Sequence, residues 1–162
     1  MRIGVSMSAH NDETGCWMVW DNAYELGIPT VDEQHRHLVY LCDKFRSELM
    51  HHSSREGGGW QTALSEALRE TVQYTKTHFS TEEKLMQASG YPGYEYHKRC
   101  HQEFVDTITQ ILESFQVATM QTAFEFSSYL KEWVLTHIAF EDRQFQGHIL
   151  EYCKQKSCSI VQ

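Results

Sequence analysis

Ten histidines stand among the 162 residues of this chain. Five of them, His35, His78, His97, His101 and His137, recur in step with the apolar residues around them, as on the buried stripe of a helix. Two carboxylates keep the same company: Glu82, and one of the pair Glu141-Asp142. Imidazole and carboxylate together are a donor set for first-row metals. His78 and Glu82 are four residues apart, as are His97 and His101, so each pair projects from one side of a helix, one turn along. A buried polar group without a partner costs about 1–3 kcal/mol. One such histidine is ordinarily a satisfied core residue, but five on converging faces require a shared partner.

The last carboxylate is left open by spacing alone. Glu141, at i+4 from His137, stays on its face, whereas Asp142, at i+5, falls about 140° round an ideal helix. The other histidines fit less well. His37 is two residues from His35 and faces away, His51 and His52 fall in a predicted loop, and His10 lies in the N-terminal arm. His148 shares the face of His137 but sits about 16 Å along the helix. Five nitrogens and at least two carboxylates exceed one tetrahedral zinc and suit two metals joined by bridging carboxylates. The paired Glu-x-x-His motifs of ferritin-like bundles are missing, since only Glu48-Leu49-Met50-His51 has that form. There is no His-Glu-x-x-His, no Gly-x-Ser-x-Gly and no glycine-rich phosphate loop, so hydrolase and nucleotide-binding readings have no support.

Four helical segments must carry these groups. The first opens at Thr30-Val31-Asp32-Glu33, which has the form of a capping box, and continues through His35, Leu38, Leu41/Cys42, Phe45 and Leu49. It stops at the glycine-rich 51–59. The second runs from about Trp60 to Ala88 through Leu64, Leu68, Thr71, Tyr74/Thr75, His78, Glu82 and Leu85, and ends at Gly90 and Pro92. The third spans about Tyr94 to Val117. The fourth starts near Thr122 and reaches about Tyr152, with no Gly or Pro marking the break before it. The strand signal is weak throughout. Four amphipathic segments with short connections predict an all-α, up-down-up-down four-helix bundle.

Composition agrees with one domain. Apolar residues make up 41% of the chain, enough for a core, and 9 Gly and 2 Pro argue against turn-dense all-β folds. A net charge of −8 argues against a nucleic-acid partner. No apolar run is long enough for membrane insertion, and the N-terminus lacks an apolar signal core, so a cytoplasmic protein is expected. The five cysteines, Cys16, Cys42, Cys100, Cys153 and Cys158, are odd in number and scattered, which argues against a disulfide framework. Residues 1–16 are expected to form a flexible arm, 17–152 the domain and 153–162 a tail.

With these residues in place, the chain resembles the bacterial hemerythrin family. The matching text is Trp20, Tyr24-Glu25-Leu26-Gly27-Ile28, Asp32-Glu33-Gln34-His35, His78-Phe79-Ser80-Thr81-Glu82-Glu83, Tyr91-Pro92, His97-x-x-x-His101-x-x-Phe104, Trp133-x-x-x-His137-Ile138 and Asp142. The resemblance implies a left-handed bundle around two iron ions (Fe2+/Fe3+) with an oxo or hydroxo bridge. It assigns His97, His101 and His137 to one iron, His35 and His78 to the other, and Glu82 and Asp142 as bridges, choosing Asp142 against the ideal wheel. One iron is then six-coordinate, and the other, with five ligands, keeps an open position for dioxygen or a similar small diatomic. Trp133 and Val134 are candidates for the lining of the oxygen pocket; many relatives carry Leu where Val134 stands. The role implied is reversible oxygen binding, as a carrier or as a sensory module with a fused or associated signalling output such as a diguanylate cyclase. A di-iron oxidase or peroxidase is the enzymatic alternative, and no catalytic side chain stands out for it.

Overall fold

A computed structural model of the chain describes residues 17–53, 60–114 and 119–156, without the side chains of 62–64. The predicted arm, His10, Cys16, Cys158 and the side chain of Leu64 lie outside the described residues. Among these residues there is no strand. A 3-10 turn, Asn22–Tyr24, precedes α1 (Pro29–Ser53), α2 (Trp60–Ser89), α3 (Tyr94–Ser114) and α4 (Met120–Thr136). The last rod continues without a break through a π-helix, His137–Asp142, into α5 (Arg143–Lys156). Helix α1 packs on α2 and α4, and α2 packs on α3 and α5, giving the up-down-up-down four-helix bundle.

The ends of the rods follow local chemistry. The capping box expected at Thr30 does not form. Helix α1 begins one residue earlier, at Pro29, whose missing N–H costs nothing in a first turn. The Ile28 carbonyl accepts from Val31 and Asp32, and Asp32 Oδ1 accepts the Leu26 N–H at 2.7 Å, which ties the lead-in to the helix. At its other end α1 runs past the predicted stop, so His51 and His52 lie in its last turn and not in a loop. Gly90, at φ +67°, ends α2: Tyr91 N–H donates to the Met86 carbonyl at 2.9 Å, a closure that needs a left-handed residue. Thr119 caps α4 by accepting the Thr122 N–H at 3.1 Å, so this helix starts two residues before the predicted Thr122.

Two apolar clusters fill the bundle. Leu38, Cys42, Phe45, Phe79, Phe104, Ile108, Leu130, Val134 and Ile138 belong to the larger one. Leu26, Ile28, Val31, Met86, Phe145 and Ile149 belong to the smaller, at the other end. Between them lies a polar layer. Val31 stands one turn before His35 and Leu38 one turn after; Phe145 stands one turn after Asp142 and Val134 one turn before His137. These neighbours shield the layer above and below with apolar side chains.

Candidate metal centre

The polar layer consists of the seven predicted residues. His35, His78, Glu82, His97, His101, His137 and Asp142 are all 4% exposed or less. They come from every rod: His35 from α1, His78 and Glu82 from α2, His97 and His101 from α3, His137 and Asp142 from the π-helix. Their donor atoms form two groups of four that could each hold a metal ion, Glu82-His97-His101-His137 and His35-His78-Glu82-Asp142, with each group's atoms within 4.8 Å of one another. Glu82 is common to both.

The oxygens divide between the two groups. Glu82 Oε1 lies 3.4 Å from His78 Nε2 and 3.5 Å from His35 Nε2. Its Oε2 lies 3.2 Å from His101 Nε2 and 3.6 Å from His97 Nε2. Asp142 Oδ2 is 3.0 Å from His35 Nε2, while Oδ1 is 3.0 Å from His137 Nε2 and 3.3 Å from His97 Nε2. Each carboxylate thus turns one oxygen to each side, the arrangement a bridge requires. Donors about 2.1 Å from one metal and at right angles to each other stand about 3 Å apart, which is the spacing seen.

The donors fit a pair of metals better than they fit each other. Both oxygens of Glu82 and of Asp142, and Nε2 of His35, His78 and His97, are buried without a hydrogen bond despite these short separations. Their lone pairs are not aimed along one another. His101 Nε2 and His137 Nε2 face each other at 3.1 Å. Orphaned polar atoms at this density are foreign to a protein core and are what a ligand set looks like. Nitrogen and oxygen donors without thiolate match iron among the candidate metals, and five imidazoles with two carboxylates are too many for a single ion.

Charge in the metal-free cluster balances internally. Burial opposes protonation of His35 and His97, but the Asp142 and Glu82 carboxylates beside them outweigh it and push both imidazoles up to about 9. Burial lowers His78 to about 4, with the Glu82 charge opposing and the His35 charge assisting. Burial works against ionisation of Glu82 and Asp142, yet the surrounding imidazoles hold both below the usual carboxylate range. The raised pair stabilises the metal-free fold fully below 6.5, the ordinary histidine value, and loses that contribution as pH rises through about 9. Bound to metal, the same rings are neutral and contribute no such loss. The thermal midpoint of chelator-treated protein is therefore expected to fall between pH 7 and 10, while that of iron-loaded protein holds. Parallel alkaline profiles would count against the charge pairing.

Two outer residues were not expected from the sequence. Gln34 Oε1 lies 3.2 Å from His78 Nδ1, and Gln34 Nε2 donates to Thr81 Oγ1 at 3.1 Å, which orients the amide. Glu83 Oε1 lies 3.2 Å from His101 Nδ1. Such partners fix the ring and leave Nε2 for the metal. Both are half-buried polar residues next in sequence to a ligand, Gln34 before His35 and Glu83 after Glu82, and the stretches that resemble the family contain them without marking their role. Phe79 stacks on His101 at 3.6 Å, and Trp133 on His137 at 4.4 Å. Val134 is buried in the apolar layer, and Trp133 is half-buried against Phe104.

The other histidines among the described residues stay out of the layer. His37 packs on Tyr74 at 4.2 Å, His52 lies 3.9 Å from Glu48, and His148 is exposed with Nε2 2.8 Å from the Ser89 carbonyl. Glu141 is half-buried and accepts from Gln144 at 3.0 Å, outside the cluster. The π-helix is the reason: with i→i+5 closure the fifth residue comes back over the first, so Asp142 and not Glu141 shares the face of His137.

Comparison with known proteins agrees with this fold. The chain is 29% identical over 138 residues to a bacteriohemerythrin of Stenotrophomonas maltophilia, covering 85% of each chain. It is 30% identical over 125 residues to a bacteriohemerythrin of Pseudomonas paraeruginosa, covering 77% of this chain and 76% of that one. A myohemerythrin of Sipunculus nudus is 26% identical over 134 residues, covering 81% and 92%. A solved wild-type hemerythrin shares the fold with a TM-score of 0.67 at 21% identity, over 82% of this chain and 98% of that one. Residues 26–149 match the family described as the hemerythrin HHE cation binding domain, and the chain belongs to that family.

Proposed function

We propose that the protein binds dioxygen reversibly at a di-iron centre. His97, His101 and His137 hold one iron, His35 and His78 the other, and Glu82 and Asp142 bridge them. The observation that carries this reading is the division of both carboxylates between a three-imidazole side and a two-imidazole side. The side with fewer imidazoles keeps a position free for a small molecule. An iron pair held by these residues would supply the redox chemistry that reversible dioxygen binding needs.

The chain's own residues do the rest. Gln34 and Glu83 keep the His78 and His101 rings turned so that Nε2 faces inward. Leu38, Phe104 and Val134 line the apolar side and exclude water, which favours release of the ligand intact over its escape as a reduced species. Trp133 braces His137 from outside. No side chain at the layer is needed as an acid or base, so we assign binding and not turnover. Among the described residues Cys42 and Cys100 are free thiols, which supports the cytoplasm as the compartment.

Metal analysis followed by reduction and exposure to air tests the proposal. Two irons per chain and a persistent visible charge-transfer band that disappears under vacuum are expected for a carrier. Rapid conversion to the oxidised form would favour redox sensing, and zinc in place of iron would sink the oxygen chemistry.

A further inference from the structure

The inward face of α2 carries more polar groups than the metal layer uses. Thr71 and Thr75, each 2% exposed, continue the stripe of His78 and Glu82 into the larger apolar cluster. Each hydroxyl donates to the carbonyl four residues back, Thr71 to Ala67 at 3.0 Å and Thr75 to Thr71 at 2.8 Å. Helix carbonyls already have an N–H partner, so these bonds are weakly held and the hydroxyls can be redirected by rotation about χ1.

The two threonines differ in where they stand. Four residues stand one helical turn from a cluster histidine on this side: Leu38, three after His35; Thr75, three before His78; Phe104, three after His101; and Val134, three before His137. All four are 3% exposed or less, and Thr75 alone among them carries a polar atom. It sits one turn from His78, on the side with fewer imidazoles. Thr71 is a further turn away.

We propose that Thr75 is a specificity-determining residue of the ligand site, whose hydroxyl hydrogen-bonds to a small ligand on the His35/His78 side. The chemical class is a two- or three-atom molecule with a terminal acceptor, dioxygen or a small anion such as azide. This inference rests on the di-iron reading above. A purely structural hydroxyl would behave alike at both positions, since Thr71 makes the same backbone bond, so Thr71→Val is the internal control.

The test is azide titration of oxidised, iron-loaded protein, read by absorption, with iron content measured for each variant. The unaltered protein comes first: failure to load iron or to bind azide overturns the di-iron reading itself. With that passed, Thr75→Val is expected to weaken azide binding about tenfold, the loss of one hydrogen bond to a charged group. Thr75→Ser should stay close to the unaltered protein, and Thr71→Val should match it. Equal affinity in Thr75→Val, or equal weakening in Thr71→Val, overturns the proposal. Should Thr75→Val not fold or load iron, a crystal structure of the azide complex of the unaltered protein decides. Thr75 Oγ within about 3.2 Å of azide is expected, and a separation beyond about 4 Å overturns the assignment.

Discussion

Glu82→Ala is expected to leave purified protein with almost no iron, whereas His78→Ala and His101→Ala each leave well under two irons per chain but more than Glu82→Ala. The ranking follows from sharing. His78 belongs to one group of donors and His101 to the other, but Glu82 belongs to both. Removing Glu82 takes an oxygen from each side and a negative charge from a layer with only two carboxylates facing five imidazoles. Both metal positions then lose a ligand and face an excess of positive charge when dications enter. His148→Ala should keep the full complement, because that ring is exposed and spends its Nε2 on the Ser89 carbonyl. Iron per chain by elemental analysis, with helicity by circular dichroism to show that each variant folds, decides the matter. Full iron retention in both histidine variants would refute the assignment.

Much of this site was legible because α-helical periodicity is strict over one or two turns. His78 with Glu82, and His97 with His101, are pairs that a regular helix must place together, and the structure brings all four into the layer. Helix boundaries were less legible because the chemistry that sets them is small. The break before α4 has no Gly or Pro, and its signal was a single side chain, Thr119, accepting one N–H. The capping box at Thr30 lost to Pro29, whose fixed φ starts the helix a residue earlier. Thr75 gave no signal of its own. A threonine on a helical stripe reads as core packing, and only its burial and its position beside His78 separate it from Thr71.

The bundle's contribution is to make a layer of ionisable groups tolerable at its centre. Five imidazoles and two carboxylates without water or metal are costly to bury. The metal-free fold survives by pairing raised imidazoles with lowered carboxylates, so the cluster carries little net charge. Metal entry must displace the protons on His35 and His97, which couples iron affinity to pH in the direction of weaker binding in acid.

Asp142→Ala should abolish most iron binding, while Glu141→Ala should retain both irons, the reverse of what an ideal helix through His137 implies. The reason is a change of phase. Upstream, the inward stripe runs Phe126, Leu130, Val134, His137. Continued in α-helical steps it would pass through Glu141, Gln144 and His148, which are half-buried or exposed. Beyond Ile138 the buried residues are instead Asp142, Phe145, Ile149 and Cys153, the first three each one position later. One extra residue, taken up by the π-helix at 137–142, accounts for the slip. The apolar pattern after Asp142 was therefore a sequence clue to the bridging carboxylate, readable only by phasing the stripe from downstream as well as from His137. Asp142 supplies an oxygen to each side and cannot be replaced by Glu141, which the π turn holds toward Gln144. Equal iron contents in the two variants, or a greater loss in Glu141→Ala, would show that the helix in solution keeps the α register and that the other carboxylate faces the metals.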